Sequence, residues 1–337
     1  MVNDKPLFGF VYAKFLPKNK HLISIGMGNT RTPKVSLVTV AYNRAHLIER
    51  SIDSVIAQTM DDWELIIVDN GSTDNIRDVL RKYRKKAYKD RIRIFHLEKN
   101  RRYAGGVNFG MDQIRGEWFT WHDDDDEILP ECLETLLNVP KEIDPTINAV
   151  SCNCIDTTTK AFSGEGVTED GYLSYEDIMT KVRGEFWGIT KTELLGDKRL
   201  NESLQGFEST LWNQIDRVAV RYYVHKALRI WYTDHEGTMT KALVKKDVKV
   251  KANIYKQLMK DAAYWEDMRR YQPEKYLDKL TKGMFYLYSV GDKEAASKFA
   301  AQLADDSKSF KHSVLKAIAS NLPPAMLKGL IQVAPTK

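Results

Sequence analysis

The sequence predicts an α/β fold, a doubly wound and mostly parallel sheet with a C-terminal helical region. Three observations predict it. From Lys34 onward, short runs rich in β-branched residues alternate with segments of helical period. The first such runs end in polar or acidic residues, as strands do where an open sheet meets a ligand crevice. After Lys241 the strand signals stop and only helical faces continue.

The chain supports this element by element. Residues 1–33 are weakly patterned; Phe8 to Tyr12 and His21 to Ile25 read as short strands, and no chemistry attaches to them. Val35 to Val40 is a buried strand ending in Ala41-Tyr42-Asn43-Arg44, and Ile48, Ile52, Val55 and Ile56 then recur at helical spacing. Trp63 to Val68 is a second strand, ending in Asp69-Asn70-Gly71-Ser72-Thr73-Asp74, where Ser, Thr and Asp suit helix caps. Ile76, Val79, Leu80 and Tyr83 share a helix face; Arg91 to Leu97 is a third strand and Gly105 to Ile114 a short helix. Trp118 to Trp121 is the fourth strand. Right-handed crossovers gather the strand ends at Tyr42, Asp69 and Asp123 along one edge, a crevice of nucleotide size.

The fourth strand runs into five consecutive acids, Asp123 to Glu127, before Leu129-Pro130 turns the chain into a helix. Adjacent carboxylates repel, and a hard divalent cation relieves them. A solvated acidic loop is the bland alternative, but the position at a strand end favours a ligand site. No Gly-x-Gly-x-x-Gly follows the first strand and no Gly-x-x-x-x-Gly-Lys-Ser/Thr loop is present, so the common phosphate grips are missing.

Together, Val35 to Asn43, Val68 to Asp74, Asn100 to Gly110 and Gly116 to Pro130 resemble the nucleotide-binding half of a family 2 glycosyltransferase of GT-A fold. The resemblance implies a nucleotide-diphospho-sugar donor, Mn²⁺ or Mg²⁺, and an inverting transfer to a saccharide or lipid-linked acceptor in cell-surface polysaccharide or glycolipid synthesis. By that resemblance Tyr42 edges or stacks on the base, and Asp69 sits by base and ribose. In the Asp-x-Asp motif Asp123 contacts the ribose side with Asp124 beside it, Asp125 binds the metal, and Asp126 is close by. Two departures stand out. Asn70 occupies the place of a usual second Asp, and an amide donates as well as accepts. The usual Ala-Arg-Asn-x-Gly segment is here Gly106-Val107-Asn108-Phe109-Gly110, so its Arg is absent; Arg101 and Arg102 are the nearest positive charges for a diphosphate.

Beyond Pro130, a helix from Glu131 to Leu137 leads to a strand from Ala149 to Ile155. Asp156 to Asp177 is polar and reads as a mobile loop over the acceptor site. Phe186 to Thr190 is a strand, whose Trp187 the resemblance sets on the acceptor as a stacking face. Gly206-Phe207-Glu208-Ser209-Thr210-Leu211-Trp212 matches the family's acid-then-Trp motif, which makes Glu208 the general base. Tyr222 to Val224 and Leu228 to Tyr232 read as a closing hairpin that delivers His235, implied to face the diphosphate or metal. Leu277, Leu280, Met284 and Leu287, then Gly291-Asp292, then Ala295, Ala296, Phe299, Ala300 and Leu303 describe a helical hairpin. The end, with Met326, Leu327, Leu330 and Ile331, is amphipathic and suits either a membrane surface or a packed or dimeric contact.

The expected organisation is therefore an extension at 1–33, a nucleotide-sugar half at 34–130, an acceptor half at 131–242 and helices at 243–337. Hydrophobic content of 43% against 29% charged residues describes a soluble globular chain. A net charge of +5 does not call for nucleic acid. No apolar run of membrane-spanning length occurs, the first residues do not read as a signal peptide, and Cys152 and Cys154 read as buried thiols. These features suit the cytoplasm, with the inner membrane face as a peripheral site. Two rivals make distinct demands. A sugar-phosphate nucleotidylyltransferase would want a Gly-rich loop after the first strand. A non-catalytic GT-A-like module would lack the acidic cluster or the base carboxylate.

Overall fold

The structure, a computed structural model, describes residues 32–234 except 86, 87, 89 and 205, and 247–327 except 308, 309 and 325. The expected strands before Lys34 and the residue His235 lie outside the described residues, as do Leu330 and Ile331.

A parallel block forms the first half. Strands β1 (Val35–Ala41), β2 (Trp63–Asp69), β3 (Ile92–His96) and β4 (Trp118–Trp121) stand in the order β3-β2-β1-β4. Helices α1 (Ile48–Ile56), α2 (Ile76–Arg81) and α3 (Arg102–Met111) make the crossovers. Both faces of the central strands β1 and β2 are covered, so these are buried nearly throughout rather than on alternate residues, while β3 at the edge is only partly buried. Leu37, Leu65 and Ile67 pack with Ile48, Ile52 and Val55 of α1, while Val38, Ile66 and Val68 form a separate cluster on the other face. There α3 approaches closely because its sequence is glycine-rich. A Cβ at Gly110 would lie 2.4 Å from Val38 Cγ1, and one at Gly106 would lie 2.6 Å from Val40 Cγ1.

The second half is mixed in direction. After β5 (Glu127–Ile128) and α4 (Cys132–Glu142), β6 (Ala149–Asp156), β7 (Gly171–Leu173), β8 (Phe186–Lys191) and β9 (Arg221–Trp231) complete the sheet. Strand β8 is antiparallel to both β4 and β6, which joins the two halves. The expected hairpin at 222–232 is instead one long strand, β9, running parallel to β6. The extra residues His225, Lys226 and Leu228 are absorbed by register shifts on either side of Asn153, whose amide donates to the Gly164 carbonyl at 3.0 Å and the Tyr223 hydroxyl at 3.2 Å. The polar stretch 156–177 carries elements of its own: β7, and the start of α5 (Tyr175–Thr180), fixed by a Ser174–Asp177 capping box.

Helices α6 (Thr192–Leu195) and α7 (Ser209–Asp216) follow β8. Helices α8 (Val248–Leu258), α9 (Ala262–Tyr271), α10 (Pro273–Ser289), α11 (Lys293–Asp306) and α12 (Phe310–Asn321) form the C-terminal region around Tyr255, Leu280, Met284 and Phe299. The expected helical hairpin is α10 and α11, turned at Gly291 with φ 83° and capped by Asp292. This region packs against the second half of the sheet domain. Buried Asp267 of α9 accepts from Tyr175 of α5 and pairs with Arg217 after α7.

Candidate active site

The acidic turn after β4 is held by cations from inside the protein. Arg229 of β9, only 3% exposed, pairs with Asp126 and Asp123 and reaches Glu185 at 3.1 Å. Asp126 is 1% exposed and also accepts from the Tyr232 amide at 2.8 Å. Burial raises its pKa to about 7 against the pull of Arg229. Burial, then the neighbouring charge of Asp125, lifts Asp124 well above the usual carboxylate range. Arg44 lies 3.7 Å from Asp125 and 4.0 Å from Asp124. Arg50 donates to the Asp125 carbonyl at 2.9 Å and sits 3.6 Å above the Tyr232 ring, and Ser51 donates to the Asp123 carbonyl at 2.9 Å. The repulsion among consecutive acids is thus relieved partly by Arg229 and Arg44, which the sequence reading did not single out. A lone Arg inside the apolar run Leu228 to Trp231, downstream of an unbalanced acidic run, is the signal that points to it.

This turn forms one wall of a cavity of about 1150 Å³. The strand ends deliver Tyr42, 42% exposed, and Asn70 to the same cavity, with Arg102 at the start of α3. Asp69 is not among the cavity-lining residues. It is fully buried, and its carboxylate accepts from the Ser72 amide at 2.9 Å and meets His96 Nδ1 at 2.8 Å and Arg77 at 3.4 Å. Burial alone would raise its pKa, but the His96 and Ser72 contacts win and hold it below the ordinary value.

Helix α7 forms the facing wall. Glu208, Trp212 and Asp216 follow one another at four-residue spacing, and all three line the cavity. Trp212 fixes this face: its ring stacks on Phe119 at 6.3 Å and 3°, and meets Trp121 at 4.7 Å. Glu208 sits at the N-cap, and its carboxylate accepts from the Gly206 amide at 3.1 Å. Trp187 touches the cavity but is only 6% exposed, and its Nε1 donates to the Trp121 carbonyl at 2.7 Å, so much of its surface is spent on packing. Asp216 is paired with Arg221 at 3.0 Å, and both line the cavity, as do Tyr103 and Glu185. Among the described residues, no three His, Cys, Asp or Glu side chains converge as a ready-made metal cage.

Residues 36–185 match the profile of glycosyl transferase family 2. Over 311 residues the chain is 32% identical to a Campylobacter jejuni protein named GalNAc(5)-diNAcBac-PP-undecaprenol beta-1,3-glucosyltransferase, covering 90% of this chain and 94% of that one. The chain belongs to glycosyl transferase family 2. The family profile ends at Glu185, so α7 and Glu208 fall beyond it and are covered by the full-length relative. Solved structures share the fold of this family 2 glycosyltransferase. S. aureus TarS 1-349 in complex with UDP-GlcNAc aligns with a TM-score of 0.59 and 16% identity, over 89% of this chain and 90% of that chain. Mannosyltransferase PcManGT from Pyrobaculum calidifontis, in complex with GDP-Man and Mn²⁺, aligns at 0.51 and 18%, over 89% and 84%. The architecture is that of a GT-A glycosyltransferase with added C-terminal helices. Among the described residues, no helix is long and apolar enough to cross a membrane.

Proposed function

We propose that this glycosyltransferase moves a sugar from a nucleotide-diphospho-sugar to a hydroxyl of a lipid-linked saccharide, with inversion at the anomeric carbon. One observation carries the reading: the acidic turn at the end of β4 and Glu208 line one and the same cavity. The relative's named acceptor, a glycan on PP-undecaprenol, supports the acceptor class. Such an acceptor implies work at the membrane face.

In this reading Tyr42 and Asn70 border the base, Asp69 shapes that wall from behind, and Asp123 and Asp124 face the ribose side. Arg102 and Arg44 supply positive charge to the diphosphate. Glu208 takes the proton of the acceptor hydroxyl as its oxygen attacks the anomeric carbon. The bond from that carbon to the diphosphate breaks in the same displacement, and the nucleoside diphosphate leaves. Trp212 and the cavity edge of Trp187 give the acceptor sugar an apolar face.

The donor set around Asp125 is all hard oxygen. That chemistry suits Mg²⁺ or Mn²⁺ held by one or two carboxylates and completed by substrate phosphates, which needs no all-protein cage. Asp125 would hold the ion, with a second carboxylate of the same turn to assist. When bound, such an ion stabilises charge on the leaving diphosphate. The deciding experiment is a thermal-shift screen with UDP-, GDP- and dTDP-sugars, with and without Mn²⁺, followed by transfer to a diphospholipid-linked oligosaccharide. No stabilisation by any nucleotide-sugar, with or without metal, overturns the reading.

A further inference from the structure

Tyr103 lines the cavity within electrostatic reach of both Asp123 and Glu208. Its ring packs against the apolar cluster of Val107, Phe119 and Leu211, and it lines the cavity together with Asp123, Glu185 and Glu208. Those three carboxylates, when ionised, only accept hydrogen bonds. Arg229 is a donor nearby, but it is already committed to Asp126, Asp123 and Glu185. The phenol is therefore the donor that this group of acceptors presents to a ligand. Burial, then the charges of Asp123 and Glu208, lift its pKa well above the ordinary value, so it keeps its proton.

The backbone that carries Tyr103 is held in an uncommon shape. Arg102, the residue before it, has φ 61°, a left-handed conformation that a non-glycine residue keeps only when its surroundings impose it. Asn70 imposes it through both ends of its amide. Nδ2 donates to the Arg102 carbonyl at 2.8 Å, and Oδ1 accepts from the Arg101 amide at 3.0 Å. Asn100 Oδ1 accepts from the Arg102 amide at 2.6 Å. Gly106 lets α3 seat on this amide, since a Cβ there would lie 2.9 Å from Asn70 Nδ2. An aspartate at position 70 would keep the bond from Arg101 but would set an oxygen against the Arg102 carbonyl.

We propose that Tyr103 contacts substrate during transfer, its phenol donating to a sugar hydroxyl where donor and acceptor meet, and that Asn70 is the positioning residue that aims it. A sugar hydroxyl between Tyr103 and these carboxylates accepts from the phenol and donates to an acid, which uses both of its capacities. The inference rests on the glycosyltransferase reading above.

The test uses the full chain with the donor and acceptor found in the screen. Tyr103→Phe keeps the ring and removes the donor. It should lower kcat/KM by roughly tenfold to a hundredfold, the effect of leaving a buried partner unsatisfied, while calorimetric affinity for the nucleoside diphosphate alone, which has no sugar, stays unchanged. Asn70→Asp should also lower kcat/KM, through a misaimed Tyr103 as well as any change at the base, and adding Tyr103→Phe to it should cost less than Tyr103→Phe costs in the wild type, because the two share one contact. Wild-type kcat/KM in Tyr103→Phe overturns the contact. Additive losses in the double variant, with thermal midpoints unchanged, overturn the positioning role of Asn70. Wild-type protein that binds no nucleotide-sugar refutes the functional reading and this inference with it. Wild-type transfer beside an unimpaired Tyr103→Phe refutes this inference alone.

Discussion

The guanidinium of Arg229 and the carboxylate of Asp126 meet inside the protein, joining β9 to the acidic turn after β4. Both are almost without water, so each needs the other: removing one partner of a buried pair leaves an uncompensated charge. Arg229→Met should therefore destabilise the fold by about 3–5 kcal/mol. Arg229→Met with Asp126→Leu should recover part of that loss, since the most buried pair is then gone while Asp123 and Glu185 still lack their partner. Urea unfolding of the two variants measures the difference. A single variant within about 1 kcal/mol of wild type would show that Arg229 is not the charge partner of the turn.

The parallel half was legible because its two central strands are largely apolar runs that end in polar residues. Trp63 to Asp69 is buried along its whole length and Val35 to Ala41 at every residue but Val40, and such runs admit few other readings. Strand β9 was harder. His225 and Lys226 interrupt its apolar pattern like a turn, yet the chain stays extended because the register shifts around Asn153 take up the extra residues. The site was legible where a side chain ends a strand, as at Tyr42 and Asn70. It was illegible where partners come from distant segments. Arg229 stands out as a lone cation in an apolar run, but nothing local says that its partner is Asp126, which lies 103 residues away, or that Asp69 turns inward to His96.

Stability should fall in mild acid through His122. It is buried, with Nε2 3.3 Å from the Ser51 carbonyl. Burial, then the charge of Arg229, pushes its pKa down to about 4. An unfolded histidine titrates near 6.5, so between about 6.5 and 4 the unfolded chain binds a proton that the folded chain refuses. The folded state loses stability as pH drops through that window, by up to about 3 kcal/mol from this residue. His122→Asn should flatten that part of the profile. Chemical denaturation at steps from pH 7 to pH 4 reads it directly, and identical slopes in both proteins would reject the assignment.

Donor binding should depend on metal through Asp125. Asp125→Asn keeps the shape of the side chain and removes the charge that a hard cation seeks. Calorimetry with nucleoside diphosphate and Mn²⁺ should show weaker binding in the variant, with an unchanged thermal midpoint in the absence of ligand. If the affinity of Asp125→Asn equals that of wild type in Mn²⁺, the ion is held elsewhere or plays no part.

Glu208 and Glu202 are the two acids near the start of α7, and the structure separates them. Glu202 accepts from Asn108 at 3.3 Å and Arg101 at 3.4 Å, tying the segment before α7 to α3, and it does not line the cavity. Glu208 lines the cavity one helical turn before Trp212, whose packing on Phe119 and Trp121 fixes that face. A positioned general base contributes roughly 10²–10⁴ in rate. Glu208→Gln should lower turnover by about that factor, with donor affinity nearly unchanged, since the proposed nucleotide contacts are Tyr42, Asn70 and the acidic turn rather than Glu208. Glu202→Gln should keep most of its turnover and instead lose a little stability, since a partly exposed contact of this kind is worth about 1 kcal/mol or less. Turnover and donor affinity measured on both variants decide the matter. A dead Glu202→Gln beside an active Glu208→Gln would move the base to the other carboxylate, and with it the direction from which the acceptor approaches.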